Sequence, residues 1–291
     1  MTEARKPKNE ARAAARAAAN DIRSKQSKSA RRNKILVQLG LGTLILAVIA
    51  GVVAVMLTAF KPAGPGPLNM GSDGIRITQG LVANPTDAIP AEGAPTAQPA
   101  NAEGVVEITI FVDYLCPICG EFEAENSAVI KELIESGAAT VEFRPLAILN
   151  NQSQGTQYST RAANAAACVA NYSPNSFFAF NELLFANQPQ EGTAGLDDAT
   201  LTALADQAGV SELAKITSCI DDQEFKAWTK SATERALSGE FAGNNFGIAN
   251  VTGTPTVLIN GVQFGYSYPF SKDEFLQEVM KAAGQQFSES E

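Results

Sequence analysis

The stretch from Val105 to Pro145 constrains the fold more than any other part of the chain. Val105 to Tyr114 is almost continuously apolar and rich in β-branched residues, the pattern of a strand buried on both faces. From about Cys116 to Ser136 the periodicity turns helical. Phe122, Val129, Ile130, Leu133 and Ile134 share one face, three glutamates occupy the early turns, and Gly137 supplies the stop. Thr140 to Pro145 reads as a second strand. Such a strand–helix–strand unit crosses over right-handed with its two strands parallel. The chain is therefore α/β at its centre.

The remaining elements sort around that unit. Residues 156–240 lose the strand signal, and helical stretches are predicted at 159–170, 175–186, 197–208, 211–219 and 222–238. Within them Phe177, Phe178, Phe180, Leu183, Leu184 and Phe185 read as the core of a helical subdomain, as does Trp228. Alternation returns at Thr256 to Ile259. Asn260-Gly261 is a hairpin turn, and Val262 to Tyr266 can pair back. A last helix opens at Ser271 with Glu274 three residues on, a capping-box arrangement, and is expected to end near Ala283 before Gly284. No internal repeat is visible.

Upstream, residues 35–60 carry no charge. As a helix they would run roughly 39 Å at ~1.5 Å per residue, more than the ~30 Å hydrocarbon core requires. Arg31, Arg32 and Lys34 precede the run, and residues 1–34 hold eleven Lys/Arg against three Asp/Glu. The positive-inside rule then makes 1–34 a basic cytoplasmic tail, 35–60 one N-terminal transmembrane helix, and the rest extracytoplasmic in a single-pass protein of the cell membrane. A cleaved signal peptide normally has a shorter apolar core and leader. A core helix would not be apolar on all faces over this length. Residues 61–104, rich in Pro, Gly and Ala, read as a linker holding the domain of 105–285 off the membrane. Within the linker, Gly74 to Thr78 alternates briefly, as a short edge strand would.

What chemistry such a chain can do is narrowed by what it lacks. It has no histidine, which removes Ser-His-Asp and Cys-His catalysis and imidazole as a metal ligand. The net charge is −9, and everything after residue 34 is acidic, so no phosphate-binding footprint exists and no nucleic-acid partner is expected. The four cysteines stand at 116, 119, 168 and 219. Cys116 lies where a strand gives way to a helix, and unpaired N–H groups with the positive end of the helix dipole favour a thiolate there. Pro117 suits the first helical turn, where a missing N–H costs nothing. Two intervening residues bring Cys119 onto the next turn. That arrangement suits an exposed nucleophile, Cys116, and a more buried resolving thiol, Cys119, working through a mixed disulfide. A Cys-x-x-Cys pair also occurs as half of a zinc site. Here the other cysteines lie far downstream and no histidine can complete a tetrahedron, so neither metal nor cofactor is expected.

Taken together, four features resemble the DsbA-like branch of the thioredoxin superfamily: the strand into Asp113-Tyr114-Leu115, the Cys116-Pro117-Ile118-Cys119 centre, the helical insertion, and Gly253-Thr254-Pro255-Thr256 before the last hairpin. The resemblance covers roughly Val105 to Gly284. It implies a thioredoxin fold with an inserted helical subdomain at about 156–240, and a catalytic Cys116–Cys119 pair. It also implies a cis Pro255 facing those cysteines, and substrate contacts from Thr254, Pro117 and Ile118. The second intervening residue, often His in strongly oxidising members, is Ile118, so a less acidic Cys116 and a less oxidising couple are expected. Ile110 occupies a position where such proteins commonly bury a glutamate. Asp113 is the nearest acid, either a proton acceptor for Cys119 or a strand-end residue bonding local backbone. Cys168 and Cys219 are expected to form a structural disulfide, the alternative being two separate buried thiols. The activity implied is an extracytoplasmic protein thiol–disulfide oxidoreductase. It would form disulfides in exported, cysteine-containing proteins and be reoxidised by a membrane oxidase, DsbB-like or vitamin K epoxide reductase-like. A reductase or isomerase fed by a membrane electron donor, or a non-catalytic membrane-tethered peptide-binding module, are the alternatives.

Overall fold

The computed structural model describes residues 64–242 and 246–289, with scattered helical positions between 12 and 51. The expected membrane helix at 35–60 falls largely outside the described residues. Among those described, no helix is long and apolar enough to cross a membrane. Contacts divide the chain into two units at Pro62, and all four cysteines belong to the second, Ala63–Glu291.

In that unit the parallel pair forms where the sequence predicts it. Strand β3 (Val106–Val112) and strand β4 (Ala139–Pro145) run parallel, in register from Val106 opposite Ala139 to Val112 opposite Pro145. Helix α1 (Pro117–Ser136) connects them and ends at Gly137, whose φ of 76° is the left-handed conformation that glycine adopts without strain. Strand β5 (Thr256–Ile259) lies antiparallel on the other side of β3 and turns at Asn260-Gly261 into β6 (Val262–Gln263), shorter than the alternation suggested. Helix α7 (Lys272–Glu289) then runs on through Gly284 rather than stopping there. Only half of its capping box forms. The Ser271 hydroxyl accepts the Glu274 N–H at 3.4 Å, while the Glu274 carboxylate turns back to Ser267.

Among the described residues between β4 and β5 stand five α-helices: α2 (Tyr158–Tyr172), α3 (Phe177–Ala186), α4 (Asp198–Gln207), α5 (Leu213–Asp221) and α6 (Lys226–Ser238). Cys168 on α2 and Cys219 on α5 are joined in a disulfide. Closing a loop of about fifty residues removes roughly 4 kcal/mol of unfolded-chain entropy in the simplest treatment. Ile108, Ile110 and Val112 enter the main core with Phe122, Ile130, Phe275 and Val279, which binds α1 and α7 to the sheet. Phe111 and Leu258 join a smaller cluster with Ala236, Phe241 and Val251.

The segment expected as a linker departs from that reading. Residues 64–104 pack onto the domain instead of standing off it. Ile75–Thr78 forms β1, antiparallel to β4, and Val82–Ala83 forms β2 on its outer edge, giving the sheet order β2-β1-β4-β3-β5-β6. Met70, Ile75, Ile77 and Ile89 are buried. Asp73 meets Arg235 of α6 in a two-pronged ion pair at 2.6 and 2.7 Å, and Arg76 joins the buried Glu142 and Arg144 and the half-buried Glu107 in a charge cluster. The physical reason is register. An extended Pro/Gly-rich chain looks the same whether solvated or paired, and only the free edge of β4 decides between the two.

Candidate active site

Strand β3 delivers its last residues into the core, so Asp113, Tyr114 and Leu115 are fully buried. The chain then turns. The Cys116 N–H reaches back to the Asp113 carbonyl at 3.0 Å, Cys116 keeps extended dihedrals as N-cap, and Pro117 begins α1. The opposite wall comes from β5. Its register places Thr256 across from Phe111, so the residues just before Thr256 reach the level of Asp113. There the Thr254–Pro255 peptide is cis, as expected, and the Cys116 thiol donates to the Thr254 carbonyl at 3.1 Å. The Tyr266 hydroxyl donates to the Pro255 carbonyl at 3.2 Å and so anchors the loop. Cys116, Cys119, Thr254 and Pro255 thus meet at one point. Pro117 is exposed beside them and Ile118 half-buried.

Both cysteines are thiols here, and their environments differ. Cys116 is 6% exposed and Cys119 1%, so the expected order holds while the nucleophile is less open than its role suggested. A hydrogen bond with the Cys119 thiol, foremost, then one with the Thr254 side chain and one from the Cys119 backbone, pull Cys116 down from 9.0 to about 6 against the opposing effect of burial. Cys119 moves the other way, raised well above the ordinary thiol value by burial first and by its partner thiol second. Neighbouring charges and bonds that favour one ionised sulfur while disfavouring the other are the basis of a nucleophile–resolver pair.

Asp113 is occupied by backbone. Its Oδ1 accepts the Leu115 N–H at 2.9 Å and its Oδ2 the Leu149 N–H at 2.8 Å, tying the strand end to the loop after β4. Burial raises it despite those bonds. Its bond to Cys119 comes from the main chain rather than the carboxyl.

A second buried acid was missed by the sequence reading. Glu123, one helical turn after Cys119, is 4% exposed and pushed up to about 8, mainly by burial and then by Glu182. Its Oε1 accepts from Asn181 at 2.9 Å, and the Asn181 Oδ1 accepts the Tyr114 hydroxyl at 3.0 Å, a polar chain from the insertion to the strand end. The signal was present in the four-residue spacing from Cys119, which puts both on one helix face. It was hidden because Glu121, Glu123 and Glu125 look alike until α3 covers one of them. Among the described residues, no group of three or more acidic or cysteine side chains is placed to hold a metal.

A family model described as thioredoxin matches residues 100–279. The chain belongs to the thioredoxin family. Among solved structures, oxidised DsbA of Mycobacterium tuberculosis is 27% identical, with 72% of this chain and 93% of that one covered at a TM-score of 0.55. Reduced DsbG, a disulfide bond oxidoreductase of the same organism, is 28% identical over 73% and 88%, also at 0.55. The serine/threonine-protein kinase PknE of Mycobacterium tuberculosis is 32% identical over 166 residues, which span 56% of this chain and 28% of the kinase. The chain thus covers under a third of that curated relative. Family and cysteine geometry agree in making this thioredoxin-family chain similar to DsbA-type thiol–disulfide oxidoreductases.

Proposed function

We propose that this oxidoreductase donates disulfides to exported proteins outside the cytoplasm, from a membrane anchor at 35–60. The observation that carries the direction is the divergence of the two thiols, Cys116 down to about 6 and Cys119 well up. A stabilised Cys116 thiolate favours the reduced form of the couple, and whatever favours that form makes the disulfide a stronger oxidant. A value of about 6 lies between the ~7 of thioredoxin and the ~3.5 of DsbA. That agrees with Ile118 standing where strongly oxidising relatives often have histidine. The basic leader and the apolar run support the compartment.

Chemically, a substrate thiolate attacks the Cys116 sulfur of the Cys116–Cys119 disulfide, and Cys119 leaves and takes up a proton. A second substrate thiolate then attacks the substrate sulfur of the mixed disulfide. Cys116 departs as thiolate, and two electrons have moved from substrate to enzyme. The backbone beside cis Pro255 offers a strand-like contact for the substrate peptide, with Thr254, Pro117 and Ile118 around it. A membrane oxidase, DsbB-like or vitamin K epoxide reductase-like, would accept the two electrons and restore the disulfide.

The test is the reduction potential of the Cys116–Cys119 couple against glutathione. A potential towards the ~−120 mV of strong oxidants supports donation, whereas one near the ~−270 mV of thioredoxin refutes it in favour of a reductase.

A further inference from the structure

Helix α1 contains a glycine one turn after the nucleophile. A glycine inside a helix is unfavourable, because it orders more backbone than any other residue and packs nothing in return. Gly120 has a specific neighbour that accounts for it. A Cβ built there would lie 2.3 Å from the Oε1 of Gln188 and 3.1 Å from its Cδ. The bare Cα is the space that Gln188 fills.

Gln188 follows α3 in the helical insertion, where its own N–H is held by the Phe185 carbonyl at 3.1 Å. Its side chain crosses to the redox junction. Nε2 donates to the Cys116 carbonyl at 2.8 Å and to the Tyr114 carbonyl at 3.2 Å. One carboxamide nitrogen carries two hydrogens, and each is spent on a carbonyl flanking the strand-to-helix turn. The Cys116 carbonyl also accepts the first helical bond, from the Gly120 N–H at 3.2 Å, which is longer than its bond to Gln188. The insertion therefore holds the nucleophile's own peptide group at least as closely as the helix does.

We propose that Gln188 is a positioning residue for the Cys116 nucleophile, seated by Gly120, through which the helical insertion sets the geometry and charge environment of the redox centre. Both carbonyls belong to the turn that carries the reacting sulfur, and the negative end of a carbonyl dipole disfavours a nearby thiolate. N–H groups that cap them reduce their repulsion of a thiolate and hold the turn that points Cys116 at Thr254. Removing the donor raises the proton affinity of Cys116 and loosens its aim. Acting on Cys116 alone, the effect rests on the exchange reaction assigned above.

The experiment uses the full-length chain, reduced, with thiolate absorbance titrated near 240 nm and the rate of attack on a small chromogenic disulfide followed at pH 5.5 and 7. Wild-type attack that dies with Cys116→Ser establishes the exchange reaction independently of Gln188. Gln188→Met keeps the length of the side chain and deletes the donor, while Gly120→Ala leaves Gln188 intact and takes its seat. Both are expected to raise the Cys116 midpoint and to slow attack at pH 5.5 by roughly threefold to tenfold, the scale of one or two neutral hydrogen bonds. The double variant should be no slower than either single one, since residues in contact that act through one interaction are not additive. Wild-type midpoint and rate in Gln188→Met, even with a lowered melting temperature, would show that the side chain only packs and would overturn the proposal. So would additive losses in the double variant.

Discussion

Replacing Cys119 with alanine separates two explanations for an acidic Cys116. The N-terminus of α1 favours a thiolate through its unpaired N–H groups and dipole. The structure adds a hydrogen bond from the Cys119 thiol as the foremost influence lowering Cys116 from 9.0 to about 6. At pH 7 a thiol at about 6 is about 90% thiolate, and one at 9 only about 1%. Nucleophilicity partly offsets this, because a Brønsted slope of ~0.4–0.5 makes the more basic sulfur roughly 15- to 30-fold more reactive per thiolate. Complete loss of the effect therefore slows attack by only about three- to sixfold at pH 7, and by about 25- to 50-fold at pH 5.5, where far fewer of the variant's sulfurs are ionised. The assay is single-turnover attack on a chromogenic disulfide across that range, with the thiolate titrated near 240 nm. Cys119→Ala should titrate well above 6 and lose most at acid pH, while Cys119→Ser, which keeps a hydroxyl donor, should stay closer to wild type. A Cys119→Ala protein that still titrates near 6 refutes the reasoning and returns the acidity to the helix end alone.

Three further outcomes are expected. Glu123 has a folded-state value of about 8 against an ordinary 4.5, so the folded protein keeps a proton that the unfolded chain has released. Stability present below pH 4.5 is lost as pH rises towards 8, on the order of 3 kcal/mol by pH 7, and Glu123→Gln should flatten the melting temperature over that window. Ile77→Ala, in the segment that the composition presented as a linker, should cost about 2–5 kcal/mol in urea unfolding, because Ile77 is fully buried on β1. A cost near zero there would mean that β1 adds nothing to the fold. Exchanging both Cys168 and Cys219 for alanine should lower unfolding stability by roughly 2–5 kcal/mol while leaving the Cys116 titration in place.

Much of this molecule was legible before any coordinates. The β3-α1-β4 unit was readable because periodicity and a glycine stop are local properties, settled within a few residues. The Cys116-Pro117-Ile118-Cys119 centre was readable because its chemistry needs only a strand end, a helix start and a two-residue spacing. The boundaries of the five insertion helices agreed to within about four residues for the same reason. Even Thr254-Pro255 could be paired with the cysteines, although only through family resemblance, since 135 residues separate Cys119 from Thr254.

Contacts between distant segments belonged to the tertiary structure. Whether Ile75–Thr78 was a solvated spacer or a sheet strand depended on the free edge of β4, which no local pattern reports. Cys168 and Cys219 were expected to pair, with two separate buried thiols as the alternative, and the packing of α2 beside α5 decided for the disulfide. Asp113 could have served Cys119 or the backbone, and the approach of Leu149 took its second oxygen. Glu123 was one of three similar glutamates until Asn181 arrived from the insertion, and Gly120 was an unexplained helix glycine until Gln188 filled its space. Local sequence determines conformations and which chemistry is available. Burial and hydrogen-bond partners across the chain depend on closure of the whole core, and they decided how acidic each thiol and carboxyl of this site became.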